Sequence, residues 1–243
     1  MTTPTLAAAG RVRRRSSTRV ATRWLLSRNF VMAAWAAGIL VLAVVVGPVL
    51  VDRFTTVEIS VAQFGRQGFT WFPFSIAIIT SSVYINVHVA AGMTRRSLGR
   101  ASLVQAVTMA ATYTVIMTVV LQLEALAFDA VGWGHKIVDE NALFQDSSQV
   151  GWILADLGLV FLTAQVSGLL VGIVYYRLGG WWGTLALPFT VGPLILVSPL
   201  LTSTLLDPIA PLARVPLVGL VPVVLAALYL AVLRNAPLRK VAT

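Results

Sequence analysis

The chain has 243 residues, 58% hydrophobic and 11% charged, whereas a soluble domain averages roughly 45–50% and about 25%. That composition excludes an ordinary soluble protein, and the absence of cysteine excludes disulfides, iron–sulfur clusters and thiol catalysis. The formal charge of +9 would suggest nucleic acid in a soluble protein, but here the basic residues flank apolar blocks, so membrane lipid is the expected partner and nucleic acid is not.

The apolar blocks are about 20 residues long, enough for helices to cross a hydrocarbon core of roughly 30 Å. Backbone groups in lipid must be paired internally, and the blocks lack the alternation of barrel strands, so the expected class is an all-α integral membrane protein. Residues 1–30 form a basic segment with Arg11, Arg13, Arg14, Arg15, Arg19, Arg23 and Arg28 and no acid. Arg15, Arg19 and Arg23 share one helical side, with Val20, Ala21, Trp24 and Leu25 on the other, as in an amphipathic helix lying in the membrane interface. A disordered basic tail is the alternative, assigned to residues 1–10.

The transmembrane domain is expected over 31–234, with spans at 31–51, 69–91, 101–123, 151–176, 181–204 and 215–233, followed by a tail at 235–243. The first span is too long for a signal peptide and lacks a cleavage site, so it reads as retained. The second is entered through Trp71, Phe72 and Pro73 and ends in the Arg-rich interruption 90–100. Residues 124–149 read as an acidic solvated loop with room for a short helix. Gly158, Ser167, Gly168 and Gly172 offer close-packing positions on the fourth span. Residues 177–180 form a tight turn. Pro188, Pro193 and Pro199 interrupt the fifth span and invite a kink or break. The connection 205–214 reads as a loop dipping into the membrane.

With both termini inside, the N-terminal segment, the turn after the second span, Arg177 and the C-terminal tail place seven, three, one and three basic residues there, fourteen of eighteen. This satisfies the positive-inside rule and sets both termini in the cytoplasm, in what the arginine bias suggests is a bacterial plasma membrane. Eight of the nine acids then lie outside and the ninth is Asp156. Asp156 stands within an apolar run about one turn beyond Trp152; it is either hydrated from outside, or lines a pathway together with Pro193 and Pro199, or bonds one helix to another.

Catalytic and metal-ligating constellations are missing from the sequence. His88 and His135 belong to opposite sides, H-E-x-x-H is absent, and His135, Asp139 and Glu140 read as a solvated loop rather than a metal site. No G-x-x-x-x-G-K-[ST] phosphate loop is present, so no cofactor is expected on this chain.

The six spans, the basic helix before them and the run Ala91-Gly92-Met93-Thr94-Arg95-Arg96-Ser97 resemble the permease subunits of ABC-2 type exporters, which carry Gly-x-[Ser/Thr]-Arg-[Arg/Lys] in this loop. The resemblance covers nearly the whole chain as architecture and one short motif as sequence. It implies a non-enzymatic transport subunit, a second permease chain (identical or paralogous) and a separate ATP-binding subunit that holds ATP and Mg. Gly92, Met93, Thr94, Arg95, Arg96, Ser97 and Arg100 would form the coupling helix docked on that subunit. Gly92 would end the second helix and Thr94 would cap a new short one. A polytopic anchor that recruits a soluble partner without transport is the competing reading.

Overall fold

The computed structural model describes residues 17–140, 142–202 and 211–237. Arg15, Arg239, Lys240 and residues 205–210 of the last connection lie outside them. Nine α-helices and one 3-10 turn occur among the described residues: α1 Ser17–Val51, the 3-10 turn Ala62–Phe64, α2 Gly65–Ser82, α3 Tyr84–Ala90, α4 Arg95–Val131, α5 Val150–Leu185, α6 Leu187–Thr190, α7 Gly192–Thr202, α8 Pro211–Val218 and α9 Leu220–Arg234. No strand is present among these residues, only an isolated bridge between Ile59 and Lys136.

Five stretches are long and apolar enough to cross a membrane: α1, the run Ala62–Ala90, α4, α5 and the run Leu212–Arg234. After α5 the chain continues through shorter pieces to α7, an apolar helix of 11 residues. Gly179 adopts φ 83° and ψ −178°, a backbone open to glycine, and there the chain leaves the line of α5. The returning leg runs beside α5, where Tyr175 Oη and Thr184 Oγ1 lie 2.9 Å apart and Ser167 Oγ donates to the carbonyl of Thr190. Breaks at Ala186 and Val191 each fall two residues before a proline, at Pro188 and Pro193, because proline supplies no N–H to the preceding turn. The expected kinked fifth span is therefore a chain of short helices ending in α7.

The centre of the bundle is α5, packed against α2, α4, α7 and α9. Its glycines allow the closest approach. A Cβ on Gly168 would lie 2.3 Å from the Phe74 carbonyl oxygen, and one on Gly172 only 2.4 Å from that of Ile78. Gly158 differs, since the nearest atom to its Cβ position is Thr114 Oγ1 at 3.9 Å.

Three sequence expectations change. The helix of the third span does not stop at 123: α4 continues to Val131, since no breaker precedes Gly132, which closes the helix at φ 75°. Glu124 and Asp129 are thus helical, not loop residues. No break separates the interfacial segment from the first span, because 17–51 is one helix of 35 residues, about 52 Å long at 1.5 Å per residue. Last, 95–100 is not a separate short helix but the opening of the 37-residue α4.

Candidate functional site

Two ends of the bundle carry chemistry. At the basic end, α3 stops at Ala90 and the chain reverses through Ala91 to Thr94. Gly92 takes φ 74°, the left-handed conformation that ends helices. Thr94, extended at φ −85° and ψ 152°, caps α4 by accepting the Ser97 N–H at 3.2 Å, and Ser97 Oγ donates to the Thr94 carbonyl at 2.7 Å. Ser97 is buried and serves the cap. Met93 is half-buried against Ala21, Leu25 and Ala101, which ties the turn to α1. The Trp24 ring meets Tyr84 edge-on at 4.9 Å and His88 at 6.4 Å.

The arginines divide into two groups. Arg95 is half-buried and its Nη1 donates to the Arg234 carbonyl at 3.4 Å, at the end of α9. Arg96 and Arg100 are exposed, as are Arg19 and Arg23 on the opening of α1. α4 and α9 approach closely at Gly99, where a Cβ would lie 2.8 Å from both Leu230 and Leu233 side chains. A rigid turn with an exposed cationic surface is the result, since Gly92, the Thr94 cap, α1 and α9 all fix the backbone that carries Arg96 and Arg100.

At the opposite end, Glu124, expected in the acidic loop, and Asp156 of the fourth span are buried, while Asp129, Glu140 and Asp146 of that loop are exposed as expected. Asp156 is fully buried, and Arg66 Nη2 lies 3.0 Å from its Oδ2 and 3.1 Å from its Oδ1. The same Arg66 donates through Nη1 to Asp139 Oδ2 at 2.6 Å and through Nη2 to Ser198 Oγ at 2.9 Å. One guanidinium therefore joins α2, the 132–149 connection, α5 and α7. Beside it lies a cavity of about 290 Å³ whose walls include Arg66, Trp71, Asp139, Ile195, Ser198 and Pro199. Pro199 thus joins the Arg66 cluster, while Pro193, at the start of α7, is not among these walls.

The second acid is Glu124, 1% exposed. Its Oε1 accepts the Val61 and Ala62 N–H groups at 2.8 and 3.0 Å, which open the 3-10 turn; its Oε2 accepts from Ser60 Oγ and lies 3.0 Å from His135 Nε2. Serine and histidine both sit on the carboxylate, with no histidine between serine and acid, so the trio anchors two connections and lacks the relay of a hydrolase. Ser60 N–H to Lys136 carbonyl and Lys136 N–H to Glu58 carbonyl, each 3.0 Å, complete the seam. The reading of His135 and Asp139 as solvated is corrected: both pair with buried charges, which desolvation makes obligatory. Among the described residues, no group of three His, Asp or Glu side chains is placed to hold a metal.

Arg66 is the residue of this cluster that the sequence did not single out. A buried Asp156 requires a cation, and that requirement was available; which of Arg53, Arg66 and Lys136 meets it depends on how α2 lies on α5. The chain matches no protein-family model, no curated protein and no solved structure.

Proposed function

We propose that the chain is the permease subunit of an ATP-driven ABC exporter, with both termini in the cytoplasm of a bacterial cell, a second permease chain beside it, and a separate ATP-binding subunit that holds ATP and Mg. The observation that carries the reading is the capped, Arg-bearing turn at the mouth of α4. Arg96 and Arg100 face outward there on a backbone fixed by Gly92, Thr94 and the α1 and α9 contacts. A partner that pushes on this turn moves α4 as a rod of about 55 Å, because the turn and the 37-residue helix are continuous. Shifting a two-state equilibrium from 1:99 to 99:1 takes about 5.5 kcal/mol. Contacts of two exposed arginines fall short of that, so the energy belongs to ATP on the partner.

The test is the double variant Arg96→Glu/Arg100→Glu, which keeps the Arg95–Arg234 contact. Co-purification of the ATP-binding subunit and ATP-dependent transport are expected to fall at least tenfold at equal membrane expression. Unchanged assembly and transport would contradict the reading.

A second reading, a membrane anchor without transport, is favoured by one feature. Arg19 and Arg23 stand exposed on α1 beside the turn and could hold a soluble partner with no helix moving. Transport that stops when the partner's ATPase is inactivated would separate the two.

A further inference from the structure

The opening turns of α1 have two different sides. Ala21, Leu25, Asn29 and Ala33 are buried, and Ala21 and Leu25 pack with Ala101 of α4. On another side of the same helix Arg19, Thr22, Arg23, Leu26, Ser27 and Phe30 line an open groove. Their spacing of three and four residues puts them on one stripe, with the two arginines at one end and Leu26 and Phe30 toward the other.

The arginines of this stripe have no acid to meet. Arg19 and Arg23 are exposed, and the first acid of the sequence is Asp52, just past the far end of α1. The ion pairs among the described residues are made by Arg66, His135 and Lys136, at the opposite end of the bundle. A guanidinium does not lose its proton in proteins. Its charge here is permanent, and the matching anion comes from outside the chain.

Depth in the membrane selects that anion. The apolar part of α1, 31–51, is about 31 Å long at 1.5 Å per residue, which matches a hydrocarbon core of roughly 30 Å. Phe30 then stands at the edge of the hydrocarbon and Leu26 one turn out, in a headgroup layer roughly 5–8 Å thick. Arg23 and Arg19 follow on the water side of that layer, where a long side chain can reach back to a phosphate. An acidic soluble protein would meet the arginines alone, whereas the groove continues along Leu26 and Phe30 to where acyl chains lie. A zwitterionic headgroup brings its own ammonium to the arginines and is disfavoured.

We infer that this stripe of α1 binds an anionic phospholipid, its phosphate against Arg23 with Arg19 beside it and an acyl chain against Leu26 and Phe30. The site goes beyond the exporter reading and rests only on α1 crossing a membrane. Binding is read on the isolated chain, so failure here leaves ATPase coupling through Arg96 and Arg100 untouched, and failure of coupling leaves this site untouched.

Dioleoylphosphatidylglycerol is titrated onto the full chain in mild detergent, and the first bound lipid is quantified by native mass spectrometry. It is expected to bind at least tenfold tighter than dioleoylphosphatidylcholine, and equimolar glycerol 3-phosphate, which lacks acyl chains, is expected not to displace it. Arg19→Gln/Arg23→Gln should weaken binding at least fivefold and Arg19→Lys/Arg23→Lys less than twofold. Arg28→Gln, on the opposite side of α1, and Arg96→Gln/Arg100→Gln, on α4, should each change it less than twofold. All five side chains are exposed, and a thermal unfolding midpoint for each variant shows that it is folded. Equal binding of the two lipids overturns the inference, as does displacement by glycerol 3-phosphate. Undiminished binding by the folded Arg19→Gln/Arg23→Gln chain does so too, and so does an equal loss in Arg28→Gln.

Discussion

Arg66 holds Asp139, Asp156 and Ser198 at once from a side chain that is 6% exposed. Its removal would leave Asp156 buried without the guanidinium, and breaking a buried pair from one side costs about 3–5 kcal/mol. Arg66→Met is expected to destabilise the folded chain by that amount in reversible denaturation, and Arg66→Met/Asp156→Leu to recover part of it because the stranded charge is gone. A single variant as stable as wild type would mean that the cluster is not a tie. Asp156 was conspicuous in the sequence because an acid within an apolar block is costly. Arg66 was not, since it lies among polar residues at the edge of a span and reads as an ordinary loop arginine. Glu124 was misplaced for a related reason: an acid at the end of an apolar run looks like the start of a loop, whereas the N–H groups of Val61 and Ala62 and the Ser60 hydroxyl come to meet it on the helix.

The central helix α5 owes its position to glycines that face α2. At Gly168 a methyl group would press on the Phe74 carbonyl, which is backbone and cannot turn aside. Overpacking of this kind costs typically about 1–3 kcal/mol. Gly168→Ala should therefore destabilise by about that much, while Gly158→Ala, with its nearest neighbour at 3.9 Å, should be neutral or stabilise by about 0.4–1 kcal/mol through the unfolded chain. Unfolding midpoints of the two variants check the opposite signs. Small residues on the fourth span marked it as a packing surface, and two of the three glycines prove to be contact points. The third, Gly158, nearly three turns before Gly168, has room for a methyl group, with Thr114 Oγ1 at ordinary contact distance of 3.9 Å, and sequence spacing alone does not distinguish them. The breaks at Ala186 and Val191 follow from Pro188 and Pro193 by local chemistry, so they were legible. The uninterrupted run through 17–51 was not, because basic residues end a membrane span but do not end a helix.

Across the whole molecule, charge sorts by end. Arg19, Arg23, Arg95, Arg96, Arg100 and Arg234 gather where α1 and α4 begin and α9 ends. Glu58, Lys136, Asp139 and the buried acids lie where α2 and α5 begin. Apolar length marks the five stretches able to cross a membrane, and this much of the fold could be read from blocks of hydrophobic residues. The returning leg after Gly179 falls below the length of a single span only because its prolines divide it. The exporter reading depends on what meets the basic end. A photocrosslinking side chain in place of Arg96, introduced into the full chain in the membranes of the cell that makes it, reports that neighbour directly. The reading requires a covalent adduct with a soluble protein that binds ATP, lost in the Arg100→Glu background. An adduct only with a protein that binds no nucleotide would contradict it.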